Sequence, residues 1–270
     1  EICLSDWSSD VCSSDLGVLT LRDCVLANNS AGHGGAILSF GTATIIGCTF
    51  HNNHAFQTGG AVDGDGPFTI VNSTFSANAA NFGGGGFALA GGAAVLTNCT
   101  FVGNTAGFEG SQLRKEPNAT VSLRNTLLDH VTNAGPILFG TFTSLGNNLI
   151  GSSDGTNGFV NGTNGDKVGT LAAPLDALLA PLANYGGGTP THALLPGSLA
   201  INAGQNCVLT NSCPSNNPGF NLTTDQRGAG FNRQSGNFVD IGAFESRGFT
   251  LAIKDRKSTR LNSSHLGISR

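Results

Sequence analysis

The chain has 270 residues and a formal net charge of −4, with only 11% charged residues, against roughly 25% in an average soluble domain. No basic patch exists to meet a phosphate backbone, which excludes a nucleic-acid ligand. No apolar run approaches the roughly 20 residues of a membrane span, and glycine, asparagine, threonine and serine do most of the solvating. Residues 1–15 come first in chain order and fit no pattern found downstream: residues 1–16 carry four acids and no base, and Trp7 is the sole tryptophan.

From residue 17 a unit recurs four times: a short apolar run, then Leu-x-x-Asn or Phe-x-x-Asn, then a turn of small residues. The runs Leu19–Leu21, Thr44–Ile46, Thr69–Val71 and Ala94–Leu96 lead to Leu26, Phe50, Phe75 and Phe101. The asparagines Asn29, Asn53, Asn78 and Asn104 fall 24, 25 and 26 residues apart. A fixed period of this size signals a solenoid, in which each copy needs its neighbours to bury its apolar face. Val, Ile, Thr and Phe alternate with polar residues between Gly and Asn, which predicts strands. Three strands and three turns per copy predict a right-handed parallel β-helix, all-β, over residues 16–143. Equivalent slots then stack at the interstrand spacing of about 4.8 Å. Leu26, Phe50, Phe75 and Phe101 form an inward column beside Cys24, Cys48, Ser73 and Cys99. Asn29, Asn53, Asn78 and Asn104 form a turn column, where Asn tolerates the left-handed backbone region and stacked amides bond along the ladder. A fifth, degenerate coil runs from Val121 to Leu128.

The Phe-x-x-Asn element followed by Gly-Ala-Ile at Gly35–Ile37, Gly-Ala-Val at Gly60–Val62 and Gly-Gly-Phe at Gly85–Phe87 resembles the repeat of polymorphic outer-membrane proteins. Those are right-handed β-helical surface proteins, and the resemblance spans residues 17 to about 110. The fourth copy departs from it, with Phe108-Glu109-Gly110-Ser111 in place of the glycine pair.

From Ser144 the period fades. Leu145-Gly146-Asn147-Asn148-Leu149-Ile150-Gly151, the run from Pro181 to Ser198, Ala200-Ile201-Asn202-Ala203-Gly204, Asp225-Gln226-Arg227-Gly228 and Asp240-Ile241-Gly242-Ala243-Phe244-Glu245 follow in order. Together they resemble the choice-of-anchor Q domain of bacterial surface proteins, over residues 144–246. The chain departs from that family at Asn202, where the family has Asp, and at Asp176-Ala177, where it has Asp-Pro. We expect residues 170–246 to close the C-terminal end of the solenoid, with a short helix-like run at 175–182 broken by Pro181. Arg227 is expected to pair with Asp225 or Asp240. Cys207 and Cys213 flank a short polar loop and are expected to form a local disulfide, which implies an oxidising compartment. Cys24, Cys48 and Cys99 read as small buried hydrophobes.

Residues 247–255 read as a linker. Residues 256–270 carry four bases and no acid. Both this tail and residues 1–15 resemble translated sequencing-adapter read-through. With no Met in the chain, we expect a fragment with two foreign ends, set aside in fold reasoning.

Carboxylate chemistry on glycans needs acids roughly 5–9.5 Å apart, which a β-helix supplies from equivalent slots of adjacent coils. The slot of Asp23 is read as continuing through Gly47, Asn72, Asn98 and Arg124. Asp63 has Leu38 below and Ala88 above, and Asp65 has Phe40 and Ala90. No acidic ladder results, and Asp63-Gly64-Asp65 reads as a loop cation site or a solvated turn. His51 and His54 have no carboxylate partner in neighbouring coils, and Gly83–Gly86 fills the turn slot rather than a phosphate cradle. No catalytic residue, metal site or cofactor is assigned. The expected function is a non-catalytic, secreted or cell-surface module, adhesin-like or a stalk, whose partner is a glycan or a host or cell-surface protein. The alternative is a pectate-lyase-like lyase or hydrolase.

Overall fold

The computed structural model describes residues 12–14, 17–129, 136–155 and 157–248. Its strands run parallel in stacked sheets of six, six, seven and four strands. The first sheet stacks Val18–Arg22, Thr42–Ile46, Phe68–Val71, Ala93–Thr97, Thr120–Arg124 and Thr143–Ser144. The second runs Val25–Ala27, Thr49–His51, Thr74–Ser76, Thr100–Val102, Leu127–Leu128, Leu149–Ser153 and Lys167–Thr170. The third runs Cys12–Ser14, Ile37–Ser39, Val62–Gly64, Phe87–Leu89, Leu113–Lys115 and Leu138–Phe139. A narrow fourth sheet, from Ser30–Ala31 to Thr105–Ala106, fills the remaining corner. The chain is thus a parallel β-helix, and its rungs continue past residue 143 to Thr170.

Alternation sorts each strand into an inner and an outer face. Leu19, Leu21, Ala43, Ile45, Phe68, Ile70, Ala94, Leu96, Val121 and Leu123 point inward from the first sheet and are buried. Phe50, Phe75 and Phe101 meet them from the second, and Ile37, Val62, Phe87, Leu113 and Leu138 from the third. Cys12–Ser14 pairs in register with Ile37–Ser39, so this part of the segment expected to stand apart is built into a sheet. The rest of that segment, and the tail at 256–270, lie outside the described residues.

Two details differ from the sequence reading. The left-handed residues of the turn are Asn28, Asn52, Ala77 and Gly103, one place before the expected column, with φ between 55° and 64°. Asn29, Asn53, Asn78 and Asn104 instead turn their amides into the interior. The coil also lengthens: Val25, Thr49, Thr74, Thr100 and Leu127 pair in succession. Arg124 therefore stacks on Thr97, and the slot of Asp23, Gly47, Asn72 and Asn98 continues to Asn125, all five with positive φ.

Residues 175–246 form a strap, largely without regular structure, along the flank of the solenoid. It touches Gly47 through Thr189, Thr74 through Gln226, Asn98 through Gly242, Asn125 through Gln205 and Asn147 through Ala203. The helix expected at 175–182 is absent, because Leu178 takes φ 52° and Leu179 and Ala183 make antiparallel bridges to Leu194 and Thr191. Beneath the strap Ile46 and Val71 pack on Val208, Cys213, Leu222 and Val239. Leu127 and Leu149 pack on Ala177, Leu194, Ala200, Ile241 and Phe244.

Candidate binding surfaces

The expected structural columns lie inside. Phe50 and Phe75 stack with ring centroids 4.8 Å apart, and Phe75 and Phe101 at 4.4 Å with nearly parallel planes. Leu26 heads this column, half-buried at the first rung. The asparagine amides form a ladder: Asn29 Nδ2 donates to Asn53 Oδ1 at 2.9 Å, Asn53 to Asn78 at 2.9 Å and Asn78 to Asn104 at 2.8 Å. Each Oδ1 of Asn53, Asn78 and Asn104 also accepts the backbone N–H of the preceding asparagine. Asn104 ends the ladder on Gln112 Oε1. Within the strap Cys207 and Cys213 form a disulfide, while Cys24, Cys48 and Cys99 are free thiols.

The motifs of the second half converge on one buried polar network that fastens the strap. Gln226 lies between the threonines of two coils, donating to Thr49 Oγ1 at 2.8 Å and accepting from Thr74 Oγ1 at 2.5 Å. Arg227 is held by Asp225 at 2.6 Å, and its guanidinium lies 4.1 Å from the ring of Phe231 and 3.8 Å from that of Phe244. Asp240 serves elsewhere, accepting from the backbone N–H of Asn202 and Ser246. Arg233, fully buried, donates to Glu245 and to the carbonyls of Gly242 and Phe244. Burial pushes the Glu245 carboxyl up despite the opposing pull of Arg233. Burial likewise lowers His192, which bonds Ser76 Oγ through Nε2 and the Ala180 carbonyl through Nδ1. Each of these side chains bonds within the strap or to the solenoid.

Two of the surfaces accessible from outside, among the described residues, carry polar and aromatic side chains. One follows the third and fourth sheets. His33 Nδ1 lies 2.9 Å from Thr58 Oγ1 and 3.1 Å from Asp63 Oδ2, and Thr58 donates to the same carboxylate oxygen at 2.5 Å. Asp63 stacks between Leu38 and Ala88. Beyond Ala88 in the same slot stands Arg114, which bonds Glu116 at 2.5 Å and reaches Glu109 at 3.6 Å. Phe82 and Phe108 project beside it, 51% and 69% exposed with centroids 5.1 Å apart. His54 meets Phe56 edge-on and bonds Asn81 Oδ1, while half-buried His51 is lowered by burial.

The other surface is a cleft between strap and solenoid. It comprises a part of about 510 Å³ walled by Asn202, Asn206 and Phe238 and a part of about 470 Å³ floored by Arg124, the two sharing Asn147, Gln205 and Pro214. Arg124 donates to the carbonyls of Ser215 and Asn216. Among the described residues no group of three or more His, Cys, Asp or Glu side chains is placed to hold a metal, and no helix is long and apolar enough to cross a membrane.

The sequence reading missed His33 as the partner of Asp63, and Phe82 and Phe108 as a pair. A signal existed: each stands four residues after the repeat asparagine, in the slot His33, Gln57, Phe82, Phe108. Gln226 and Arg233 occur once each, so no period marks their targets.

A family model described as the right handed beta helix region matches residues 4–156. The chain belongs to that family, and the winding of its parallel sheets is right-handed. Neither the curated proteins nor the solved structures yield a match.

Proposed function

We propose that the chain is a non-catalytic, secreted or cell-surface β-helix module that displays a binding face, in the manner of an adhesin or stalk, with a choice-of-anchor Q-like strap. The carrying observation is the setting of Asp63. Its neighbours along the column are Leu38 and Ala88, and its oxygens are taken by His33, Thr58 and the Gly64 N–H. A glycosidase needs a second carboxylate roughly 5–9.5 Å away, and the equivalent slots of the adjacent rungs hold none. The Cys207–Cys213 disulfide fits an oxidising, extracellular location. The ligand class we favour is a glycan or a cell-surface protein, recognised on the face that bears His33, Phe82, Phe108 and Arg114.

One observation favours the enzyme reading, a pectate-lyase-like lyase or hydrolase: Thr58, His33 and Asp63 are mutually in contact. Both partners address the same ring nitrogen, however, whereas a relay needs the nucleophile and the carboxylate on opposite nitrogens. The test is release of unsaturated or reducing ends from pectin, alginate and neutral glycans, with and without calcium. No turnover is expected. Turnover that Asp63→Ala abolishes would overturn the scaffold reading.

A further inference from the structure

The inward column beginning at Cys24 is a ladder of side-chain acceptors. Its slot passes through Cys24, Cys48, Ser73, Cys99, Thr126, Asn148 and Asp166, as the register of the adjoining strands requires. Ser73 Oγ accepts the Cys48 N–H at 3.1 Å, and Thr126 Oγ1 the Cys99 N–H at 3.4 Å. Asn148 Oδ1 accepts the Thr126 N–H at 3.0 Å, and Asp166 Oδ1 the Asn148 N–H at 2.8 Å. At the head of the column the slot is held by sulfur: Cys24 and Cys48 occupy it on adjacent rungs, their thiols donating to the carbonyls of Arg22 at 3.0 Å and Ile46 at 3.3 Å. Cys99 is set apart from them by Ser73, so among the described residues only Cys24 and Cys48 place free thiols on adjacent rungs.

That spacing selects a chemistry. Register pairing holds the two Cβ atoms about 4.8 Å apart, wider than the roughly 3.5–4.5 Å of a disulfide. Two metal–sulfur bonds of about 2.3 Å laid in line span about 4.6 Å, close to the spacing of the two rungs. Soft thiolates favour soft ions such as Cu(I). Among the described residues no third His, Cys, Asp or Glu joins the pair, which disfavours an ion that demands four ligands. Leu26 and Phe50 line the same cluster and keep it dry, while Cys24 is half-buried and so reachable.

We propose that Cys24 and Cys48 form a two-coordinate site for a soft monovalent metal ion, of the Cu⁺ or Ag⁺ class. Each thiol gives up its proton and forms one sulfur–metal bond. One M⁺ and two RSH become [M(SR)₂]⁻ and two H⁺, with no oxidant or reductant required. The ion takes the place of the two protons that the thiols direct at the Arg22 and Ile46 carbonyls. Binding would also tie the first two coils together across the stack.

The test uses the full chain with Cys3→Ser and Cys12→Ser, which removes the thiols nearest the N-terminus. Silver nitrate, and Cu⁺ buffered by bicinchoninate, are titrated while thiolate-to-metal absorption is followed in the near ultraviolet. Native mass spectrometry counts the ions. One ion per chain is expected, with the release of two protons into weak buffer. Cys24→Ser, at the half-buried position, should lose the band while circular dichroism shows the coils intact. Cys48→Ala should do the same, and Cys99→Ser should keep the full band. No bound ion in the parent chain, a band retained in Cys24→Ser, or an equal loss in Cys99→Ser would each overturn the proposal. Should Cys48→Ala fail to fold, Cys24→Ser decides alone.

Discussion

The Arg233 guanidinium meets the Glu245 carboxylate at 3.0 Å in a place where both side chains are almost wholly withdrawn from water. Glu245 also accepts the N–H groups of Ser235 and Asp240, and Arg233 reaches out of the strap to Asn72 of the solenoid. Removing one partner of such a pair strands the other charge without solvent. Arg233→Met should therefore destabilise the fold by about 3–5 kcal/mol, read from denaturant melts. The double variant Arg233→Met with Glu245→Met should recover much of that loss. A double variant as unstable as the sum of the two singles would show that the charges themselves hold the strap.

Phe75 lies between Phe50 and Phe101 with a ring stacked on each face. Phe75→Ala should cost about 3–5 kcal/mol, the range for a buried aromatic truncated to a cavity. A change below about 1 kcal/mol in the same melts would mean that the column re-packs around the gap.

His192 gives a pH signature. Burial lowers its folded pKa, so between that value and the unfolded value of about 6.5 the unfolded chain binds more protons. Stability therefore rises with pH through this window and is lost as the pH falls below about 6.5. Half-buried His51 acts in the same sense. Glu245 and Asp166, both raised by burial, oppose it in the carboxylate range. The readout is accordingly a difference: His192→Gln should flatten the decline between pH 7 and 5 relative to the parent chain. Identical slopes would place the proton elsewhere.

The parts of the molecule that repeat were legible in the sequence, because a slot filled four times shows its own pattern. The phenylalanine stack, the amide ladder and the parallel winding all follow from the 24-, 25- and 26-residue spacing. The left-handed turn position was placed one residue late because Asn28 and Asn29, like Asn52 and Asn53, are asparagines in tandem. Only Ala77 and Gly103 in the later copies distinguish the two slots. Arg124 was assigned to the wrong column because the coil ending there is longer than those before it. The course of the strap along the flank was not legible for a different reason. Gln226 finds Thr74 across 152 residues of sequence, and neither residue type nor period announces a contact made once. The binding faces were half-visible: the slot holding His33, Phe82 and Phe108 could be counted, but the approach of Thr58 to His33 depends on how the corner closes.

A stack of coils ordinarily comes apart like a column of coins, from either end and one at a time, because each coil feels only its neighbours. The strap alters that. Gln226 alone grips two coils, and the run from Thr189 to Gly242 is tied in turn to Gly47, Asn72, Asn98 and Asn125. A tensile load along the axis would therefore reach this seam as shear across many short bonds at once, rather than as peeling of one rung after another. The lacing would make the solenoid behave under load as one rigid rod, which is what a chain holding a ligand away from a surface requires.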